Sequence, residues 1–159
     1  MEHRQIVDAM HRLDLLRRIY IRGRIREQDV HRGQFPILEY IVSHPGCTQA
    51  EIAESLYVTP ASIACSAKRM ENSGLIGRSA DEADLRRNML HATPKGEHAA
   101  KSLGQLFQGL DKAMFRGFSE EELIVLYDMH RRMIANIAGQ EGDRPVPLLI
   151  RQLSELEEK

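Results

Sequence analysis

Apolar residues recur at intervals of three and four along most of the chain, which is the spacing of one face of an α-helix. The first such face is followed by Gly23, where we expect the helix to end. A break over residues 31–36 separates it from a short buried helix over residues 37–41, which His44-Pro45-Gly46 terminates. The apolar positions of the first helix are Ile6, Met10, Leu13, Leu16 and Tyr20.

Two short helices with strong start signals come next. Thr48 followed by Glu51 predicts a capping box, in which the hydroxyl accepts a backbone N–H and the carboxylate accepts the N–H of the cap residue. Thr59-Pro60 starts the second helix, because Thr caps well and Pro is favoured at the first helical position. Gly74 is the expected C-cap. The residues predicted to face inward are Ile63, Ala67 and Met70.

After Gly74 the pattern becomes that of a β-hairpin, with strands over residues 75–79 and 88–92 around a polar turn over residues 80–87. Thr93-Pro94 then starts a long helix that ends near Gly117. Ser119 and Glu122 form a second capping box, which begins a last long helix that stops at Gly139.

The tail beyond Gly139 contains a stiff linker over residues 143–147 and apolar positions that fit one more short amphipathic helix over residues 148–156. The sequence therefore predicts a mainly α fold with a small β-hairpin wing. We interpret it as a winged helix-turn-helix with an added helical dimerisation region.

Two consecutive short helices followed by a charged hairpin are typical of DNA-binding proteins, because the second helix fits the major groove while the first braces it. The face of the second helix opposite its apolar residues carries small and basic side chains. Small residues permit close approach to base edges, and Lys68 and Arg69 suit phosphates. The predicted DNA-contact residues are Thr48, Gln49, Thr59, Pro60, Ala61, Ser62, Cys65, Lys68, Arg69, Arg78, Arg86 and Arg87.

The ordered motifs of the central segment resemble the multiple-antibiotic-resistance (MarR) family of regulators. Residues 48–56, TQAEIAESL, are similar to the first helix of the family's reading motif, and residues 58–63, VTPASI, to its recognition helix. Gly74-Leu75-Ile76 resembles the exit from that helix, and Asp84-Leu85-Arg86 with Leu90, Thr93 and Gly96 resembles its wing. Two features depart from the family pattern: Ala92 replaces a usual leucine, and the tail after Gly139 is long.

The resemblance implies a homodimer that binds double-stranded DNA at a pseudo-palindromic operator and responds to a small effector molecule. A role as a repressor is favoured over a role as an activator. The dimer would present two recognition helices roughly 34 Å apart, one turn of DNA. Long apolar helix faces that lack partners within one chain support the dimer independently. The predicted domains are an N-terminal dimerisation helix (1–32), the DNA-binding domain (33–100), long dimerisation helices (101–139) and the tail (140–159).

The formal net charge is −1, from 22 Lys and Arg residues against 23 Asp and Glu, whereas nucleic-acid binders usually carry a basic excess. The charge is unevenly distributed. Residues 118–159 hold nine acidic and five basic side chains, and residues 59–101 hold seven basic and five acidic ones. The predicted reading segment is therefore modestly basic, which permits DNA binding and predicts weak non-specific affinity.

Several other classes of protein are not supported. No apolar run approaches the roughly 18 residues of a membrane helix, and the charged N-terminus does not resemble a secretory signal. Two cysteines are too few for a disulfide framework, so we expect a cytoplasmic protein. The chain has no phosphate-binding glycine loop, H-E-x-x-H or G-x-S-x-G motif and no metal-binding cluster, so we expect neither an enzyme nor a cofactor or metal site. The effector-binding residues stay unassigned.

Two alternative functions stay open. A winged-helix protein that has lost DNA binding and serves as a protein-interaction module would also fit the near-neutral charge. A regulator that senses oxidants through Cys47 or Cys65 is the other, since Cys47 precedes a helix N-terminus, which could lower its thiol pKa, and Cys65 lies on the predicted exposed face.

Overall fold

A computed structural model describes residues 2–25, 30, 33–80, 88–138 and 142–157. These residues form helices and one two-stranded antiparallel sheet, so the predicted mainly α fold with a β-hairpin is confirmed. In chain order the elements are α1 (His3–Ile25), α2 (Phe35–Ser43), α3 (Gln49–Ser55), α4 (Pro60–Asn72), β1 (Ile76–Ala80), β2 (Asn88–Ala92), α5 (Pro94–Met114), α6 (Glu120–Ala138) and α7 (Val146–Glu157).

The chain divides into two units, Met1–Leu110 and Asp111–Lys159. The first unit has an apolar core to which α2, α3, α4, the hairpin and α5 all contribute. Removing each such side chain from water stabilises the fold by roughly 1.5–3 kcal/mol. The largest fully buried side chains are Leu38, Ile41, Ile52, Ile63, Met70, Leu75, Leu90 and Leu103.

Short polar caps begin the helices where the sequence predicts them. The Thr48 hydroxyl accepts the backbone N–H of Glu51 at 3.3 Å, and the Glu51 carboxylate accepts the Thr48 N–H at 2.7 Å, which completes the predicted capping box. Ser119 and Glu122 make the same reciprocal pair at the start of α6. Thr59 caps α4 by accepting the N–H of Ser62 at 3.2 Å.

The C-terminal end of α4 is a Schellman motif, in which two successive N–H groups fold back onto the last turn of the helix. Leu75 N–H donates to Met70 at 2.8 Å, and Gly74 N–H donates to Glu71 at 2.9 Å. The C-cap is Ser73, and Gly74 follows it with a φ of +72°, a left-handed conformation that glycine adopts without steric cost. The chain therefore turns sharply from α4 into β1.

The base of the hairpin is joined to the start of α5 through Thr93 and Leu75. The Leu75 carbonyl accepts the backbone N–H of Thr93 at 3.0 Å and its hydroxyl at 3.2 Å. The same hydroxyl donates to the Gly74 carbonyl at 2.7 Å and accepts the Gly96 N–H at 3.1 Å. One side chain thus caps α5 and holds it against the exit of α4.

The hairpin is also tied to the segment before α3. β1 and β2 pair in the register Gly77 opposite His91 and Ser79 opposite Met89. Leu90 on β2 then forms a β-bridge to Cys47. The Leu90 N–H donates to the Cys47 carbonyl at 2.8 Å, and the Leu90 carbonyl accepts the Gly46 N–H at 2.9 Å. The sheet is therefore anchored on both sides of the two-helix motif.

Apolar faces remain exposed in both units. In the second unit α6 has no buried residue, and its Ile137 is 90% exposed. In the first unit α1 buries Ile25 but leaves a row of large apolar side chains in contact with solvent. The exposed apolar residues of α1 are Ile6, Val7, Met10, Leu13, Leu15, Leu16 and Ile19, those of α6 are Ile124, Val125, Tyr127, Met129, Ile134 and Ile137, and those of α7 are Val146, Leu149, Ile150, Leu153 and Leu156.

Three sequence-based boundaries were wrong. Gly23 does not end α1, because the helix continues to Ile25. Two contacts stabilise its last turn: Ile25 is buried, and the Arg24 guanidinium stacks 3.8 Å from the centre of the Tyr20 ring. The break over residues 31–36 extends too far, because Pro36 lies in the first turn of α2, where its missing N–H costs nothing. The linker over residues 143–147 is likewise too long, since α7 already begins at Val146.

Candidate nucleic-acid interface

α4 separates its apolar and polar faces as the sequence predicts. Ile63, Ala67 and Met70 are completely buried. The opposite face of the helix is exposed, and its first turn carries only small side chains and proline. The exposed residues that the sequence assigned to DNA contact are Thr59, Pro60, Ala61, Ser62, Cys65, Lys68 and Arg69. The fold thus presents them together on one surface of the first unit.

The hydroxyls at the start of α4 already interact with each other. The Thr59 and Ser62 hydroxyl oxygens lie 2.9 Å apart, within hydrogen-bond distance. A hydroxyl has one donor and two acceptor positions, so each retains capacity for another partner. Ser62 can therefore contact a base while remaining part of the cap, which fixes the orientation of its side chain.

Arg78, whose assignment to DNA contact stays a prediction, is less accessible than the predicted contact residues on α4. It lies on β1 with only 28% of its side chain exposed, and its Nε donates to a Glu71 carboxylate oxygen at 3.0 Å. The pair connects the last turns of α4 to the wing. At this degree of exposure the ion pair contributes less than about 1 kcal/mol of stability.

Arg78 also lines an open cleft of about 380 Å³ at the start of α3. Thr48 and Gln49 line the same cleft, so three of the predicted contact residues meet there. Ala50 and Asn88 complete the lining of the cleft. Asn88 lies opposite Ala80 in the hairpin register, two positions along β1 from Arg78.

The two cysteines have opposite environments. Cys47 is buried, and desolvation raises the pKa of its thiol. A backbone hydrogen bond lowers this pKa, and the Glu51 carboxylate raises it further, so the net shift is upward. The lowering that a nearby helix N-terminus could supply does not outweigh burial, which disfavours the thiolate. Cys65 is exposed on α4, as the sequence predicts.

The remaining predicted contacts come from the polar turn that the sequence predicts over residues 80–87. Arg86 and Arg87 fall outside the described residues, as does Asp84. Their assignment to DNA contact therefore stays a sequence-based prediction.

Comparison with known proteins adds independent observations. Residues 28–87 match a sequence model of the MarR family. The transcriptional regulator HosA of Escherichia coli O127:H6 is 29% identical over 106 residues, which cover 67% of this chain and 78% of HosA. The crystal structure of the transcriptional regulator SlyA superposes with a TM-score of 0.61 at 27% identity, covering 82% of this chain and 94% of SlyA.

The chain is similar to regulators of the MarR family. It is a transcriptional regulator with a winged helix-turn-helix, in which α3 and α4 are the two helices and β1 and β2 form the wing. The heme sensor protein PefR, solved with heme and carbon monoxide, shares the fold with a TM-score of 0.70 at 22% identity, covering 89% of this chain and 99% of PefR.

The relatives that this chain matches are transcriptional regulators, which is a non-enzymatic role. Within the described residues no group of three or more His, Cys, Asp and Glu side chains is arranged to hold a metal ion. None of the helices described is both long enough and apolar enough to span a membrane.

Proposed function

We propose that this MarR-family regulator is a homodimeric repressor that binds a pseudo-palindromic operator and releases it when a small effector binds. The observation that carries the proposal is the two-sided character of α4, with three completely buried side chains beneath a surface of small and basic residues. A helix held rigidly in this way can enter the major groove without reorganising its own fold.

Different parts of α4 are suited to different parts of the DNA. The N-terminal turn carries Ala61 and Ser62, whose small size allows contact with base edges. Lys68 and Arg69 lie two turns further along, where they would reach phosphates and fix the position of the helix. Arg86 and Arg87 of the wing are proposed to contact the adjacent minor groove.

The dimer is supported by the exposed apolar faces of α1, α6 and α7. A monomer seldom exposes so many large apolar side chains, and burying them against a second copy removes them from water. A two-fold dimer would also place two copies of α4 about one DNA turn apart, which is the spacing that a palindromic site requires.

The proposal is tested by selecting bound sites from random duplex DNA with the full chain. We expect a palindrome whose half-sites are centred about 10 base pairs apart. Failure to bind any duplex in a salt-dependent manner would contradict the proposal and favour a protein-interaction role for the winged helix.

The variant Lys68→Ala tests the placement of α4 on the selected site. Because each subunit of the dimer carries the variant, two phosphate contacts are lost, so binding should weaken and the slope of log affinity against log salt should fall by about 1.8. Lys112→Ala is the matched control, since Lys112 is an exposed lysine near the far end of α5 and should leave both quantities unchanged. An equal effect of the two variants would contradict the placement.

The effector is proposed from the family resemblance and from the description of PefR, a protein of the same fold, as a heme sensor. Hemin and a panel of phenolic carboxylates are suitable probes. Each is added to the protein on its selected site, and release of labelled DNA is followed by fluorescence anisotropy. Release by none of these compounds would count against an effector of these two chemical classes.

A further inference from the structure

Tyr57 has a left-handed backbone at the turn between α3 and α4. Its φ is +54°, and no other non-glycine residue in the described part of the chain has a positive φ. In this region the Cβ atom crowds the following carbonyl oxygen, so glycine is the residue that normally occupies it. Something other than local backbone preference must account for a tyrosine here.

The turn has the hydrogen bonds of a Schellman motif. Tyr57 N–H donates to the Glu54 carbonyl at 3.2 Å, and Val58 N–H donates to the Ala53 carbonyl at 3.0 Å. Both bonds use backbone atoms alone. The motif therefore requires the left-handed conformation at position 57 but makes no use of the tyrosine side chain.

The end of α4 provides a direct comparison within the same chain. It forms the same motif with the same two hydrogen bonds, and the left-handed position there is occupied by Gly74. Glycine thus satisfies this turn elsewhere in the protein without strain. The tyrosine at position 57 retains a conformation that is unfavourable for it, which points to a role of its ring or hydroxyl outside the fold.

The Tyr57 side chain is available for such a role. It is 44% exposed, and its hydroxyl makes no hydrogen bond to any described residue. It stands two residues before Thr59, the cap of α4. When the N-terminal end of a recognition helix enters the major groove, the turn that precedes it lies beside the sugar-phosphate backbone bordering that groove.

We propose that the Tyr57 hydroxyl donates a hydrogen bond to a DNA phosphate and so sets how the N-terminal end of α4 enters the groove. The inference rests on the proposed DNA-binding function. Tyrosine is among the side chains that donate to phosphate oxygens, and a bond to a charged acceptor is stronger than a neutral one. Because a phosphate carries no sequence information, the contact acts on operator and random DNA alike.

The variant Tyr57→Phe tests the proposal, because it keeps the ring and removes only the hydroxyl. We expect affinity for the selected operator and for random duplex to fall by the same factor, about tenfold or more. The salt slope should not change, since a neutral donor releases no counterion, in contrast to Lys68→Ala. Tyr40→Phe, at a half-buried tyrosine on α2 whose ring stacks on His44, is the matched control and should bind like the parent.

A second variant, Tyr57→Asn, removes the whole ring while keeping a residue that tolerates the left-handed conformation. Its melting temperature should fall by no more than about 3 °C relative to the parent, and it should bind DNA at least as weakly as Tyr57→Phe. Parental affinity of Tyr57→Phe overturns this proposal alone. A parent chain that binds no duplex overturns the proposed function together with it.

Discussion

Gly96 lies where α5 passes closest to the exit of α4, and its replacement by alanine tests how tightly this junction is packed. A Cβ atom at position 96 would lie 2.0 Å from the Leu75 carbonyl oxygen and 3.0 Å from the Leu75 carbonyl carbon. Carbon–oxygen contacts normally begin near 3.3 Å, so the Leu75 backbone must move by more than about 1 Å. The obstacle is backbone rather than the end of a flexible side chain, and relief by rotation is therefore unavailable.

The expected magnitude follows from what that movement disturbs. Overpacking costs about 1–3 kcal/mol, and the Leu75 carbonyl accepts the Thr93 N–H in a hydrogen bond worth about 0.5–1.5 kcal/mol. The single proton of the Thr93 hydroxyl is shared with the closer Gly74 carbonyl, so it adds little at Leu75. Replacing a helical glycine by alanine returns about 1 kcal/mol. We expect Gly96→Ala to lower the free energy of unfolding by about 2 kcal/mol, which corresponds to a fall of about 4–8 °C in the melting temperature.

The control is Gly104→Ala in the same helix, where an added Cβ would meet nothing within 4 Å. This variant should gain up to about 1 kcal/mol from helix propensity. Both variants are measured by calorimetry or circular dichroism at one protein concentration, because unfolding of a dimer depends on concentration. A Gly96→Ala protein as stable as Gly104→Ala would refute the close approach of α5 to Leu75.

The remaining predictions concern the ion pair beside the wing and the two thiols. Glu71→Gln should cost less than about 1 kcal/mol of stability, but it should release the Arg78 guanidinium of each subunit for a phosphate. DNA affinity should then rise and the salt slope should steepen by about 1.8 for the two subunits, whereas an unchanged slope would show that Arg78 makes no phosphate contact. Alkylation by iodoacetamide near pH 7.5 should modify Cys65 quickly and Cys47 slowly, because burial raises the Cys47 pKa and so lowers its thiolate fraction. The alkylation rate of Cys47 should increase only at higher pH. Rapid modification of a Cys65→Ser variant, in which Cys47 is the remaining thiol, would contradict this prediction.

The parts of the fold that the sequence predicts well are those specified by neighbouring residues. The capping boxes at Thr48 and Ser119 and the Thr59 cap each involve residues three apart, and all are present as predicted. The inward face of α4 follows from its helical period in the same way. These features need no knowledge of the rest of the chain, because their hydrogen bonds and spacing are local.

The parts that the sequence missed depend on residues distant in the chain or on backbone conformation. The Glu71 partner of Arg78 lies seven positions away across a turn, so its contact appears only once β1 folds beside α4. The raised pKa of Cys47 arises mainly from burial, which outweighs the lowering effect of a backbone hydrogen bond. The sequence did not predict the left-handed backbone of Tyr57, because neither apolar spacing nor charge indicates this conformation.

The base of the hairpin is closed by hydrogen bonds at two points. Bonds from Thr93 to Leu75 and from Leu90 to Cys47 tie the strands to the starts of α5 and α3. In the chain, α4 lies between these two anchors. A lineage of such regulators can therefore exchange the outward-facing residues of α4 for new operator preferences, while the anchored hairpin preserves the scaffold on which those residues are displayed.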